Sequence, residues 1–403
     1  MKILWGLVGI AFLFLISFLL SNNKKEIRLR TVVIGFLIQF LFALIVLKWS
    51  LGQAALKWLS LKVQALINFA NAGIQFLFGG LIQPNKPPIF ALQVLPVIIF
   101  LGALIGVLYY FGIIQWIVRV FGGAIAKLMK TSRVESLSAI ATVFLGQSEA
   151  PLLIRLYLDK LTSSELFAIM TSGFTSVAGS TLISYALIGV PLPYLLTASI
   201  MAAPASLTIA KIIFPEDRNT ESAKEVSIDK SQSVNLIDAI ASGALDGLKL
   251  AINVGGLLLA FISLIALFNG ILGGIGGWFG VTGITLEKIL GYILSPVAFI
   301  IGVPWSEAIA AGGFIGQKLV LNEFVAYTSF APEIPHLSAK TVAIVTFALC
   351  GFANLGSIAI QIGTIGGLAP ERSSDVARLG LKALLAGTIA NLMNATIAGM
   401  LIG

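Results

Sequence analysis

The sequence predicts an all-α polytopic membrane protein: about eight transmembrane helices plus two re-entrant helical hairpins, in an inverted repeat with two broken helices. Three observations carry that expectation. Of the 403 residues, 58% are hydrophobic and only 11% are charged, a balance outside that of soluble globular chains. Charge-free stretches long enough to cross about 30 Å of hydrocarbon recur along the chain. In each half, a polar-acidic motif in an apolar context is followed by an apolar run broken by small and polar residues.

The charge-free stretches run over 3–20, 31–47, 89–118, 166–210, 250–286, 341–370 and 383–403, and the fourth is long enough for two crossings. The first resembles a signal peptide, but "SFLLSNNKK" offers no convincing small-residue cleavage site, so a retained helix is expected. Lys24, Lys25, Arg28 and Arg30 follow it, which puts that loop in the cytoplasm and the N-terminus outside. Counting spans onward, Arg119, Lys127, Lys130, Arg133, Lys211, Arg218, Lys224, Lys230, Arg372, Arg378 and Lys382 also fall inside, and the C-terminus falls outside. The net charge of +8 is thereby explained by topology and contact with anionic lipid, without nucleic acid. Cys350 is the single cysteine and reads as a small buried hydrophobe.

Within "FLGQSEAPLLIR" (144–155), Glu149 stands where membrane physics disfavours a carboxylate by at least about 2.5 kcal/mol, which marks a site by default. Arg133 and Arg155 both count to the cytoplasmic side, so the segment between them goes in and comes back. A helix from Val134 to Gly146 rises about 20 Å, past the bilayer centre. Gly146 permits the turn, and Pro151, lacking an amide hydrogen, suits the start of the returning helix. The tip then presents Gln147, Ser148 and Glu149 beside protein or a wet cavity. The alternative is one ordinary span with a protonated glutamate paired to a neighbour; a second acid in "LNEFVAY" (321–327), Glu323, weighs against it.

Polar interruptions follow both motifs: "TSGFTSVAGST" (171–181) and "CGFANLGSIAIQIG" (350–363). Glu149 precedes Ser176 by 27 residues and Glu323 precedes Asn354 by 31, so the unit nearly repeats, and loop parity makes the second copy inverted. Such repeats build secondary transporters, with unwound backbone lining a midplane site. Glu135 and Glu307 are expected at the hairpin entrances as helix caps. An intramembrane hydrolase would need a triad, a metal cluster or paired aspartates; His336 lies in a loop, and nothing brings Ser148 and Lys318 together as nucleophile and base. A passive channel for polar solutes is the other rival class.

In that order and spacing, "GQSEAPLL", "SVAGS", "VLNEFVAY" and "FANLGSIAIQIG" resemble the concentrative nucleoside transporter family, as do "RTVVIGFLIQF" and "QFLFGGL" near the N-terminus. The resemblance covers nearly the whole chain. It implies a symporter, not an enzyme, in the cytoplasmic (inner) membrane, with no cofactor, a sodium gradient or alternatively a proton gradient as driver, nucleosides such as uridine and adenosine as substrates, and a homotrimer. It implies scaffold and interfacial helices over 1–133, a first repeat over 134–213, a cytoplasmic linker over 214–246, a scaffold span and extracellular-side helix over 247–288, and a second repeat over 289–403. Gln147, Ser148 and Glu149 match nucleobase-associated positions. Glu323, Asn354 and Ser357 match the ribose-binding group, and Phe352 a residue lining the site. Two departures stand out. Thr142 replaces a common asparagine in a sodium site that would also include Ser176 and the carbonyls of Leu145 and Val177, and Thr181 stands where an aliphatic side chain often borders the base.

Overall fold

The computed structural model describes residues 2–82, 89–217 and 233–402, and among them every regular element is helical. The helices are α1 (Lys2–Leu19), α2 (Leu29–Lys48), α3 (Ser50–Phe78), α4 (Phe90–Gln93), α5 (Leu95–Tyr110), α6 (Ile113–Met129), α7 (Arg133–Glu149), α8 (Ser163–Thr175), α9 (Gly179–Leu187), α10 (Leu192–Ile213), α11 (Leu236–Trp278), α12 (Leu286–Ile300), α13 (Trp305–Val320), α14 (Glu323–Phe330), α15 (Ala339–Leu349), α16 (Leu355–Leu368) and α17 (Ser373–Ile402). Seven helices among the described residues are long and apolar enough to cross a membrane, or up to eight if the pair α12 and α13, bent by 117°, is one span. Residues 218–232, the charged part of the expected linker with Arg218, Lys224 and Lys230, lie outside the described residues. Helix α11 begins at Leu236, so residues 236–246 of the expected linker are helical; the Asn235 side chain, accepting from the Asp238 amide, sets that start.

Burial separates an inner from an outer set. Ninety-four per cent of the apolar window over Ser163–Leu187 and 89% over Leu192–Ile213 is buried, against 11% over Leu236–Trp278. Helices α8, α9, α10 and α17 therefore form the core, and α11 is a wall whose apolar side chains face outward. Helix α5 packs on α11 through glycine: a Cβ at Gly102 would collide with the Gly243 carbonyl, and one at Gly243 with the Gly102 carbonyl. Only bare backbone permits that approach.

The two hairpins follow from their ends. At the start of α7, Ser132 and Glu135 form a capping box. Lys211 of α10 lies 2.7 Å from Glu135 Oε2 and donates to Ser164 Oγ at 2.8 Å. One ammonium thus holds both the entrance and the exit of residues 135–164, so the segment returns to where it began. The turn is at Gly146 (φ 81°, ψ −178°), a conformation that strains any side chain, and the returning limb is a 3₁₀ helix over Ala150–Lys160 with Pro151 in its first turn. The second hairpin closes likewise: Glu307, at the start of α13, accepts from the Ser338 amide (3.1 Å) and hydroxyl (2.9 Å) just before α15. Glu135 and Glu307 sit at the entrances as the sequence suggested; Glu135 caps the start of α7, whereas Glu307 does not cap α13 and instead binds Ser338, the residue before α15.

Helix α17 shows that the hairpins enter from opposite ends. Arg372, just before it, donates to Leu161 O at the base of the first hairpin (2.6 Å), while Gly399 near its end meets Lys340 and Ile344 above the base of the second. Its 30 residues span about 45 Å, close to the full thickness of a bilayer with headgroups. Each half then reads as short helix, hairpin, broken helix, long helix: α6, α7 with its return, α8–α9, α10, and inverted, α12, α13–α14, α15–α16, α17.

Candidate functional site

Both broken helices interrupt where polar residues cluster. Helix α8 ends at Thr175 and α9 starts at Gly179; α15 ends at Leu349 and α16 starts at Leu355, capped by the Asn354 side chain on the Ser357 amide at 2.9 Å. The two gaps meet, because the Phe352 amide donates to Ser176 O at 3.3 Å. Asn391, midway along α17, donates to Thr175 O (3.2 Å) and Cys350 O (2.6 Å), satisfying one carbonyl at each helix end.

Three pairs of candidate residues far apart in sequence come together here. Gln147, on the first tip, donates to Ser357 Oγ at 3.0 Å across 210 residues, and Gln361 donates to Gln147 Oε1 at 3.3 Å. Glu323, at the start of α14 and buried, accepts from Asn354 Nδ2 at 3.1 Å on one oxygen and from Tyr185 OH at 2.9 Å on the other. A carboxylate offers about four acceptor positions, so acceptor capacity remains for a further hydroxyl pair. Ser176 Oγ donates to Thr142 Oγ1 at 2.8 Å. Each hairpin tip therefore touches the broken helix of the other repeat: Gln147 reaches α16, and Glu323 reaches α9 through Tyr185.

Glu149 has a different setting. It lines a cavity of about 470 Å³ between the first hairpin and the α5–α11 wall, with Arg155, Ser180, Tyr109, Asp238 and Asp246 among the lining groups. Ser148 and Phe352 are half-buried. Thr181 is buried, and its hydroxyl has no hydrogen-bond partner among the described residues. Leu145 immediately precedes the Gly146 turn, and Val177 lies in the first gap; a Cβ at Gly146 would press on Ala178, so the turn and the gap are in contact. The adjacent Thr142 and Ser176 hydroxyls are hard, neutral oxygens, of the type that suits a hard cation rather than a soft one.

Three residues of this constellation escape a reading of the sequence. Tyr185 has no local signature. Lys318, which the sequence offers only as a base without a nucleophile, donates to Ala348 O at 2.7 Å and is 1% exposed. Asn391 could have been flagged, since an amide inside an apolar span obeys the same rule that singled out Glu149.

Inverted hairpins and interrupted helices around a buried polar centre define a secondary transporter, a carrier rather than an enzyme. Residues 194–399 match the family described as Na+ dependent nucleoside transporter C-terminus, 8–81 its N-terminus, and 91–192 the nucleoside recognition Gate family. The chain belongs to the Na+ dependent, concentrative nucleoside transporter family. It is 57% identical to the uncharacterized transporter YutK of Bacillus subtilis, covering 100% of both chains, and 47% identical to nucleoside permease NupC of Helicobacter pylori, covering 99% of this chain and 98% of that one. Its fold is similar to that of CNTnw in an inward-facing substrate-bound state (TM-score 0.94, 49% identity, 100% of this chain and 98% of that chain). A CNTnw variant in an outward-facing state gives a TM-score of 0.96 at the same identity and coverage.

Proposed function

We propose that this protein imports nucleosides, uridine and adenosine among them, by symport with sodium across the cytoplasmic membrane. The observation that carries the reading is the meeting of Glu323 and Asn354 beside Gln147 and Ser357, where two hairpin tips converge on two broken helices. An ionised carboxylate flanked by an amide suits vicinal ribose hydroxyls, since bonds to a charged acceptor are stronger than neutral ones. Gln147 and Ser148 answer the mixed donors and acceptors of a base edge, with Glu149 contributing from the cavity side, Phe352 lining the site and Thr181 bordering the base. The repeats, residues 134–213 and 289–403, carry these groups, and they move against scaffold helices from 1–133 and 247–288. Structures of CNTnw in inward- and outward-facing states support alternating access as the means.

Sodium would be held by the hydroxyls of Thr142 and Ser176 and by the carbonyls of Leu145 and Val177. The second reading is proton coupling through Glu149, favoured by that carboxylate's position in the cavity and by a Thr142 hydroxyl already donating to Ala139 O at 2.9 Å. The short basic loops support both termini outside and the linker inside. The exposed α11 wall supports a homotrimer with lipid around it. The deciding experiment is uptake of labelled uridine into proteoliposomes with pH clamped equal on both sides and only a sodium gradient imposed. Concentrative uptake that tracks sodium supports the proposal. Uptake driven only by an inward proton gradient replaces sodium with the proton, uptake without accumulation makes the protein a channel, and no nucleoside uptake at all removes the reading.

A further inference from the structure

Between Glu26 and Glu135 the sequence has no acidic residue, yet Lys48 and Lys57 fall there at the end of the molecule that the loop count places outside. Helix α2 has 20 residues, about 30 Å, so it crosses the hydrocarbon once between Arg28, just before it, and Lys48, its last residue. Helix α10 starts at Leu192 and α17 ends at Ile402 beside that same end, opposite Lys211 and Arg372. The preference for basic residues in cytoplasmic loops accounts for Arg28 and Arg372 but gives no reason for lysines here.

A tight corner joins α2 to α3. A Cβ at Gly52 would collide with Ile45 O, and Gln53 Nε2 donates to Leu47 O at 2.8 Å, so the first turn of α3 folds back against the last turn of α2. Beyond it, α3 buries a narrow face at Ile67, Ala70 and Ile74 and exposes Trp58, Leu61, Phe69 and Phe76, as a helix lying in a membrane interface does. Against the corner is a cavity of about 670 Å³, within the range of small-ligand sites. Leu56, Leu192, Tyr194, Leu401 and Ile402 give it an apolar wall, and Lys48 and Lys57 contribute to its lining, one from each arm of the corner. No acidic side chain lines it, and neither lysine has an ion pair among the described residues.

We infer that this cavity binds an anionic phospholipid, with the headgroup phosphate met by the Lys48 and Lys57 ammoniums and the acyl chains lying against Leu56, Tyr194 and Leu401. Charge complementarity selects the occupant. At interface depth, an apolar wall beside two uncompensated ammoniums suits a molecule with an anionic head and an apolar tail, whereas a zwitterionic lipid brings its own cation and gains less. Two lysines at a membrane surface correspond to about 30-fold in affinity. The bound lipid bridges α2 and α3 to the ends of α10 and α17, and so braces the corner. The inference stands on the fold and is independent of the ion that drives transport.

The test is native mass spectrometry of the full-length protein in detergent, titrated with phosphatidylglycerol or with phosphatidylcholine of the same acyl chains, alongside melting temperatures under each lipid. The parent is expected to bind its first phosphatidylglycerol about 30-fold more tightly than phosphatidylcholine and to melt later with it. The double variant Lys48→Gln, Lys57→Gln should lose both effects, and Lys48→Arg, Lys57→Arg should keep them. The pair Lys24→Gln, Lys25→Gln, which removes two lysines at the start of α2 instead, should behave as the parent. No preference in the parent overturns the inference by itself, whether or not any variant folds. So does an unchanged preference in Lys48→Gln, Lys57→Gln, or an equal loss in Lys24→Gln, Lys25→Gln, which would make the binding a general charge effect. Competition by soluble glycerol phosphate at the same concentrations as the lipid would assign the site to a free phosphate, and loss of the oligomer in Lys48→Gln, Lys57→Gln with no response to lipid would assign the face to a second copy of the chain; either result overturns the lipid reading.

Discussion

The two halves of the repeat follow one path in opposite directions but place their charges differently. In the first, the lysine is at the hairpin base: Lys211 joins Glu135, Ser164 and Glu216, and the contact beside the helix break is made by hydroxyls. In the second, the base contact is a glutamate accepting from the amide and hydroxyl of Ser338, and the lysine stands beside the break. The difference teaches that inverted repeats preserve backbone geometry more strictly than charge. Each half needs a closed base and an open centre, and a lysine can serve either.

The strongest way to break this comparison is Lys211→Met. Losing one partner of a buried ion pair leaves Glu135 uncompensated, at a cost of about 3–5 kcal/mol, so the detergent-solubilised protein should melt far earlier than the parent. A melting temperature like the parent's would show that the first base is closed by something other than this ion pair. Next in size is Glu323→Gln. An amide in place of the carboxylate turns one acceptor into a donor facing Tyr185 or Asn354, and each bond to a charged group is worth about 1.5–3 kcal/mol. Uridine affinity should fall about ten-fold to more than a hundred-fold at normal expression, and unchanged binding would move the sugar site elsewhere.

A smaller effect is expected from Glu307→Gln. Glu307 is half-buried and its partners are neutral, so thermal stability should drop by about 1 kcal/mol, well short of Lys211→Met. Equal losses at the two bases would erase the asymmetry. The mildest change is Thr142→Ala, which removes one neutral oxygen next to Ser176. Under sodium coupling, half-saturation by sodium should rise about two- to ten-fold while uridine affinity at saturating sodium holds; a rise in neither would take Thr142 out of the ion site.

Much of this was legible in the chain itself. Gly146 and Pro151 announced a turn because their backbone requirements are local, and the structure has the positive-φ turn at Gly146 with Pro151 opening the return. The breaks at 176–178 and 350–354 were legible because hydroxyls, amides and glycine clustered inside an apolar run weaken a continuous helix and call for polar partners at membrane depth. The helical state of residues 236–246 was not legible: they were grouped with the expected linker, yet Asp238 and Asp246 ride on the first turns of a 43-residue helix that forms the outer wall.

The sequence by itself determined that the chain is a membrane protein, where it turns, where its helices break and which acids are out of place. These properties depend on composition and on contacts between neighbours in the chain. Only the tertiary structure decided who answers whom. Tyr185 meets Glu323 across 138 residues, Gln147 meets Ser357 across 210, and Asn391 ties Thr175 to Cys350. In a medium without water, a buried polar group is costly unless folding brings it a partner, and no local pattern encodes a partner that lies a whole repeat away.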